Sequence, residues 1–331
     1  MFLAGDIGGT KVNLALGHFE EGPWTFVRQA SFSSQGNGSL ADIIRRFLDQ
    51  GSERPEVACL GIAGPVQNGR VHATNLPWVI EADDLAQAAG IHRVHLLNDL
   101  EANAYGIFAL NPGDFYEVQP GNPAAVGNRA VLSAGTGLGE AGMFWDGLRY
   151  NPFACEGGHC DFSPRDAEGL ALHHFIQPLS PSPCWEDVLS GRSFMRLYQF
   201  TLARSGTQTP AWLAEEMEGG IPAAAVTRAG NENRCPVCRR TNELFLKLYA
   251  MEASNLALKL MATGGIYLGG GIIPKLLPSL DPATFACIFR GNGALRDLLA
   301  RIPIRIILND KAALLGAAWF VHHRTGRLAQ T

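Results

Sequence analysis

Leu97-Asn98-Asp99-Leu100-Glu101-Ala102 (residues 97–102) joins two kinds of pattern within six positions. An apolar run, Val94, Leu96 and Leu97, stops at two small polar residues. Leu100, Ala104, Ile107 and Phe108 then come at helical spacing. A buried strand that hands over directly to a helix is the mark of an α/β sheet, whose ligand sites lie outside the carboxyl ends of its strands. Asn and Asp are also the favoured residues for capping a helix N-terminus. The pair therefore has two readings on this stretch alone, a helix cap and a reactive site.

The chain before it supplies the rest of a sheet. Phe2-Leu3-Ala4 runs into Gly5-Asp6-Ile7-Gly8-Gly9-Thr10-Lys11, after which Val12, Leu14 and Leu16 alternate with smaller or polar residues. Two strands around a Gly-Gly turn read as a β-hairpin, and glycines at the bend let backbone N–H groups approach an anion. Asp6 cannot touch a phosphate directly, so its place before the turn makes sense through a metal ion such as Mg²⁺; a plain hairpin turn is the alternative. Strands are expected at Trp24–Phe32, Val57–Ala63 and Val94–Leu97, with helices over Leu40–Leu48 and Glu81–Ala89, the latter ended by Gly90. Asn68-Gly69 signals a tight hairpin.

Pro112, Gly113, Pro120, Gly121 and Pro123 mark a connection between two domains. Ala130-Val131-Leu132-Ser133 then enters Ala134-Gly135-Thr136-Gly137-Leu138-Gly139. A dinucleotide fingerprint would require a helix after these glycines. Instead the chain continues with Gly142-Met143-Phe144-Trp145, an Asp146-Gly147 hairpin turn and Leu148-Arg149-Tyr150, so this too is strand, glycine turn, strand. Glu156-Gly157-Gly158-His159 has two glycines that disfavour a helix and reads as a loop presenting a carboxylate and an imidazole. Those groups suit sugar hydroxyls, or each other. Helices are expected over Glu168–Ile176, Phe194–Ala214 and Asn242–Met261; a strand over Gly265–Leu268 ends in Gly269-Gly270-Gly271 before another helix, and Ile302–Leu308 is the last strand. No internal repeat shows.

Composition narrows the class. Of 331 residues 47% are hydrophobic and 18% charged, and the net charge of -4 shows no basic face for nucleic acid. No apolar run approaches a membrane span and no signal-peptide pattern opens the chain, so the expected location is the cytoplasm. Seven cysteines are too few and odd in number for a disulfide scaffold. Cys235-Pro236-Val237-Cys238 is a lone C-x-x-C without a second ligand pair, which favours a structural turn over a metal or redox site.

The order GDIGGT, LND, GTGLG, EGGH and GGG resembles the bacterial glucokinase family over nearly the whole chain. Neither the Cys-rich zinc loop of the related ROK kinases nor a helix-turn-helix is found, which points to the non-ROK group. The resemblance implies a two-domain ribonuclease-H-like (actin-like ATPase) α/β fold with an interdomain cleft. Residues 1–110 would form the smaller domain, completed by a C-terminal helix over 311–328, and 111–310 the larger. It implies phosphorylation of D-glucose at its 6-hydroxyl by ATP, with Asp99 as general base. Asn75, Asn98, Asp99, Glu156, His159 and Glu186 would bind the sugar. Gly5, Asp6, Ile7, Gly8, Gly9, Thr10, Gly135, Thr136, Gly137, Gly270 and Gly271 would bind the nucleotide, with Asp6 orienting Mg²⁺ through water. A homodimer is implied as well. A kinase for another hexose, a sugar-responsive regulator on the same scaffold and an Hsp70-type ATPase are the rivals; the last has no use for the Glu156–His159 loop.

Overall fold

A computed structural model describes residues 1–19, 24–36, 38–74 and 76–328, with side chains described up to 323. In chain order the first elements are β1 (Phe2–Ile7), β2 (Lys11–Phe19), β3 (Trp24–Ser33), α1 (Leu40–Leu48), β4 (Val57–Ile62), β5 (Val66–Gln67), β6 (Arg70–His72), β7 (Val79–Glu81), α2 (Ala82–Ala89), β8 (Arg93–Asn98) and α3 (Asp99–Gly106). Then come β9 (Phe115–Gln119), β10 (Arg129–Ala134), β11 (Leu138–Trp145), β12 (Tyr150–Cys155), α4 (Ala167–Ile176), α5 (Gly191–Ser205), α6 (Ala211–Glu218), α7 (Pro222–Asn231) and α8 (Pro236–Leu260). The chain closes with β13 (Gly265–Gly269), α9 (Pro282–Arg290), α10 (Arg296–Ala300), β14 (Ile304–Ile307) and α11 (Ala312–Leu328). It divides into two compact units, Met1–Asp114 with Pro152–Ala154 and Asn309–Thr331, and Phe115–Asn151 with Cys155–Leu308.

The first unit is built on a sheet of order β3-β2-β1-β4-β8, in which β1 is antiparallel to β2 and parallel to β4, and β8 is parallel to β4. Side chains alternate between its faces. Leu3, Ile7, Leu14, Leu16 and Leu60 pack against Leu40, Ile43, Phe47 and Leu85 of α1 and α2. The opposite face presents small residues, Ala4, Ala15 and Cys59, to Ala102 of α3 and Ala313, Ala317 and Ala318 of α11. Ser39 and Asp42 form a capping box at the start of α1, and Gly90 closes α2 in the left-handed conformation. Asn68 and Gly69 both have positive φ, as the Asn-Gly hairpin turn requires.

Helices α3 and α11 approach closely through two glycines. A Cβ on Gly106 would strike the Ala312 carbonyl, and one on Gly316 the Ala102 carbonyl. Gly316→Ala would add about 1 kcal/mol of helix propensity, but forcing a methyl between two backbones costs about 1–3 kcal/mol. The collision is with backbone, which cannot swing aside, so the net effect is a lower thermal unfolding midpoint.

In the second unit the sheet order is β12-β11-β10-β13-β14-β9. β10 is antiparallel to β11 and parallel to β13, β13 is parallel to β14, and β14 is antiparallel to β9. Its core joins Leu132, Ile266, Leu268 and Ile306 of the strands to Phe194, Phe245, Tyr249 and Leu256 of the helices. A run of successive neighbours β3-β2-β1 followed by parallel β4 and β8 is matched by β12-β11-β10 followed by parallel β13 and β14. The repeat that the sequence does not show is a repeat of strand order.

Several expectations need correction. The proline-rich connection contains a strand, β9, whose register partners lie in β14. The helix expected over Phe194–Ala214 is two, α5 and α6, separated where Gly206 adopts positive φ and Pro210 precedes the first residue of the second. α8 begins at Pro236 rather than Asn242, and α7 has no counterpart among the expected helices. After the triple glycine the chain forms a 3₁₀ helix, Ile273–Ser279, with Pro278 inside it. No helix among the described residues is long and apolar enough to cross a membrane.

Candidate active site

In the first unit the hairpin and the Asn98-Asp99 pair lie at the same end of the sheet. Asp6 pairs with Gly61, and Gly61 with Leu97, across three parallel strands, so the turn after β1 and the start of α3 both sit at the carboxyl ends. The turn is closed by Gly8 N–H donating to Lys11 O at 2.9 Å, and Thr10 is exposed. Gly5 lies deeper, in the space between the Leu60 and Leu14 side chains, so packing accounts for its missing side chain. Asp6 accepts from Asn13 Nδ2 at 3.2 Å, and Ser31 in turn donates to Asn13 Oδ1 at 2.7 Å. Burial pushes the Asp6 carboxyl up, and the Asn13 hydrogen bond pulls it back.

The cap of α3 is Asn98, not Asp99. Asn98 Oδ1 accepts from Leu100 N at 2.9 Å and Glu101 N at 3.3 Å, and its Nδ2 donates to Gly64 O at 3.1 Å. This buried amide is engaged at both ends and keeps at most one N–H for a sugar. Asp99 is the first residue of the helix proper, half-buried, with Oδ1 accepting from Leu100 N at 3.0 Å. Asn75 lies outside the described residues.

The second unit gathers the remaining expected residues around the start of β11. Gly135 N–H donates to Gly137 O at 2.9 Å, and Gly191 N–H donates to Gly135 O at 2.7 Å, which fixes the Gly135-Thr136-Gly137 turn; Thr136 is exposed. Glu186 accepts from Leu138 N at 2.9 Å and fills the space beside Gly137. β10 and β13 run parallel with Ser133 opposite Gly269, which sets the triple glycine beside this turn. Gly270 has φ +87°, and its missing Cβ leaves room for the Ala134 carbonyl, whereas Gly271 faces open space. The Tyr249 hydroxyl, to which no sequence motif points, lies 2.8 Å from Leu132 O and 3.1 Å from Gly269 O and ties the two strand ends together.

Glu156 and His159 are exposed at the two ends of a 3₁₀ turn, in which His159 N donates to Glu156 O at 3.1 Å and Cys160 N to Gly157 O at 2.9 Å. Gly158 packs on the Leu138 carbonyl and Gly157 on the Glu140 carboxylate. Trp185 N donates to Cys160 O at 3.0 Å, which links the loop to the Glu186 turn. The glycine turn, Glu186 and the Glu/His loop therefore converge on Gly137–Glu140.

Among the described residues no group of three or more His, Cys, Asp or Glu side chains is placed to hold a metal. A hydrated divalent cation needs only one or two carboxylates together with substrate phosphates, and Asp6 beside the glycine turn is a carboxylate of that kind. Cys235 caps α8, its Sγ accepting from Cys238 N at 3.4 Å ahead of Pro236 in the first turn, and both thiols are buried. The C-x-x-C motif is thus a helix start.

Two α/β units with the same strand order, each with a glycine turn after its first core strand, are the architecture of the actin-like ATPase fold, the class to which sugar kinases belong. A model of the glucokinase family matches residues 3–324. A glucokinase from a Nostoc species is 37% identical over 338 positions, covering 96% of this chain and 98% of the relative. The structure of a glucokinase from an Antarctic psychrotroph has a TM-score of 0.84 at 28% identity, over 97% of this chain and 98% of that one. A ROK-family glucokinase from Streptomyces griseus shares the fold, with a TM-score of 0.66 at 23% identity over 96% and 97% of the two chains. This chain belongs to the glucokinase family, and so to the hexose kinases that phosphorylate glucose.

Proposed function

We propose that the chain transfers the γ-phosphoryl group of ATP to the 6-hydroxyl of D-glucose with Asp99 as general base. The observation that carries this reading is the placement of Asp99 in the first turn of α3, at the carboxyl end of β8. There the helix dipole favours the ionised carboxylate that a base must be. Asp99 takes the proton of the attacking hydroxyl, and the turns at Gly8–Thr10 and Gly135–Gly137 offer backbone N–H groups to the phosphates. Asp6 would hold hydrated Mg²⁺, and the ion would supply positive charge to offset that of the transferring group. Glu156, His159 and Glu186 take ring hydroxyls; Asn98 acts mainly by fixing the backbone from which Asp99 projects. The enzyme works in the cytoplasm as a homodimer.

The test is a coupled ADP-release assay with ATP and Mg²⁺ over a hexose panel. Glucose should give the highest kcat/KM; preference for another hexose would reassign the substrate, and no stimulation by any hexose would leave a regulator. Glu156→Gln should raise the glucose KM about 10–100-fold, the size of one charge-assisted hydrogen bond. The ATP KM should stay near wild type, and an equal rise in both would remove Glu156 from the sugar site.

A further inference from the structure

Two carboxylates sit where charges are least expected. Glu140 on β11 is 1% exposed and Glu252 on α8 is 0% exposed, and the two interact directly. Lys259 Nζ lies 3.3 Å from Glu252 Oε1, and Asn255 Nδ2 donates to Glu252 Oε2 at 2.7 Å. Arg165 reaches Asn255 Oδ1 at 2.5 Å and Met251 O at 3.0 Å. Tyr249 of α8, Cys155 of β12, Cys160 beyond the loop and Glu156 above it are the other titratable groups near the pair. Glu140 Oε1 has no hydrogen-bond partner among the described residues.

Lys259 and, at longer range through Asn255, Arg165 bring positive charge to Glu252, but the two carboxyls still lie against each other out of water. Buried like charges cannot both ionise cheaply, so the proton is retained. Burial, with Glu252 adding to it, pushes Glu140 up to about 8. The Glu140 carboxylate also lies directly against Gly157, where a Cβ would come within 1.8 Å of Oε2. Gly157 is the residue between Glu156 and the rest of the loop, so the carboxyl packs directly under the loop backbone.

We propose that Glu140 and Glu252 share one proton, and that this singly protonated pair is the seat holding the Glu156–His159 loop in its glucose-binding position. Glu140 is thereby a positioning residue. The inference rests on the reading that Glu156 and His159 contact the sugar. When the shared proton leaves, a second charge appears in a place that cannot solvate it, Glu140 shifts toward water, and Gly157 shifts with it. The glucose KM then rises as the inverse of the competent fraction. One pH unit above the titration point that fraction is about a tenth, so the rise by pH 9 is about tenfold. kcat at saturating glucose is not touched by this proton.

The test measures glucose KM and kcat from pH 6.5 to 9.5 for wild type and for E140Q, E140A, E252Q and E156Q. A glutamine at 140 is neutral at every pH and can donate an N–H to Glu252 as the acid donates an O–H. Expected are a wild-type KM that climbs about tenfold by pH 9, a flat KM for E140Q, and an E140A KM raised across the whole range because the seat is gone. The kcat profiles of wild type and E140Q should coincide. An E140Q profile that climbs like wild type, or a flat wild-type profile, overturns the inference. If E140Q does not fold, E252Q asks the same question, with a flat KM in support and a climbing one against. An E156Q whose KM at pH 7 equals wild type would show that the sugar-site reading has failed; a raised E156Q KM beside a climbing E140Q profile would show that only the shared proton has.

Discussion

Asp99→Asn should lower kcat by about 10²–10⁴-fold, the usual contribution of a positioned general base, while glucose affinity measured by equilibrium binding changes only a few-fold. The structure makes this a clean substitution. The α3 cap is supplied by Asn98, so the helix loses no capping bond when Asp99 changes. Asp99 Oδ1 accepts from Leu100 N at 3.0 Å, a bond that an amide oxygen can also accept. The unfolding midpoint of the variant should therefore stay near wild type, which separates loss of chemistry from loss of fold. A variant with near wild-type kcat would remove Asp99 as the base.

Gly270→Ala should destabilise the chain by about 2–6 kcal/mol, as backbone strain of about 1–3 kcal/mol and overpacking of about 1–3 kcal/mol add. The φ of +87° is one that L residues rarely adopt, and the new methyl would land on the Ala134 carbonyl. Any relaxation must displace Ala134, which leads directly into the Gly135–Gly137 turn. Whatever protein folds should therefore show an ATP KM raised more than its glucose KM. Gly271→Ala is the internal control, because nothing lies near its Cβ position. Denaturant melts of the two variants settle the point, and equal losses would contradict the packing argument.

Local chemistry is the legible part of this fold. The hairpin around Gly8-Gly9, the Asn68-Gly69 turn, the helix over Leu40–Leu48 and the stop at Gly90 each depend on residues within a few positions, and each stands where the pattern puts it. The family resemblance rests on motifs of the same local kind, and the similarity to known glucokinases bears it out. β9 is illegible for the opposite reason. Phe115–Gln119 sits among prolines and glycines and becomes a strand only because β14, far along the chain, offers it an edge. Gly206 and Pro210 divide one apolar stretch into two helices, a break that periodicity alone passes over.

At the site the same limit applies. A sequence places Asn98 and Asp99 side by side but does not say which of them caps the helix; the answer depends on Gly64, which receives the Asn98 amide from another strand end. Glu140 offers no sign of burial in Gly139-Glu140-Ala141, since a glutamate between small residues in a strand reads as solvent-facing. Its surroundings come from α8, more than a hundred residues later. Residues that bear chemistry are visible as types, while the residues that hold them still are visible only in three dimensions.

The pairing of α11 with α3 has a consequence for how the chain comes to life on the ribosome. The Ala102 and Gly316 backbones that meet there are separated in synthesis by the whole second unit. Until the last helix emerges, the helix carrying Asp99 has its small-residue face open and the Ala4, Ala15 and Cys59 side of the sheet uncovered. Folding by units from the N-terminus, the common order during translation, is thus interrupted here: the second unit can close on itself while the first waits for α11. A nascent chain of this protein gains its complete first unit only after its second unit has been made.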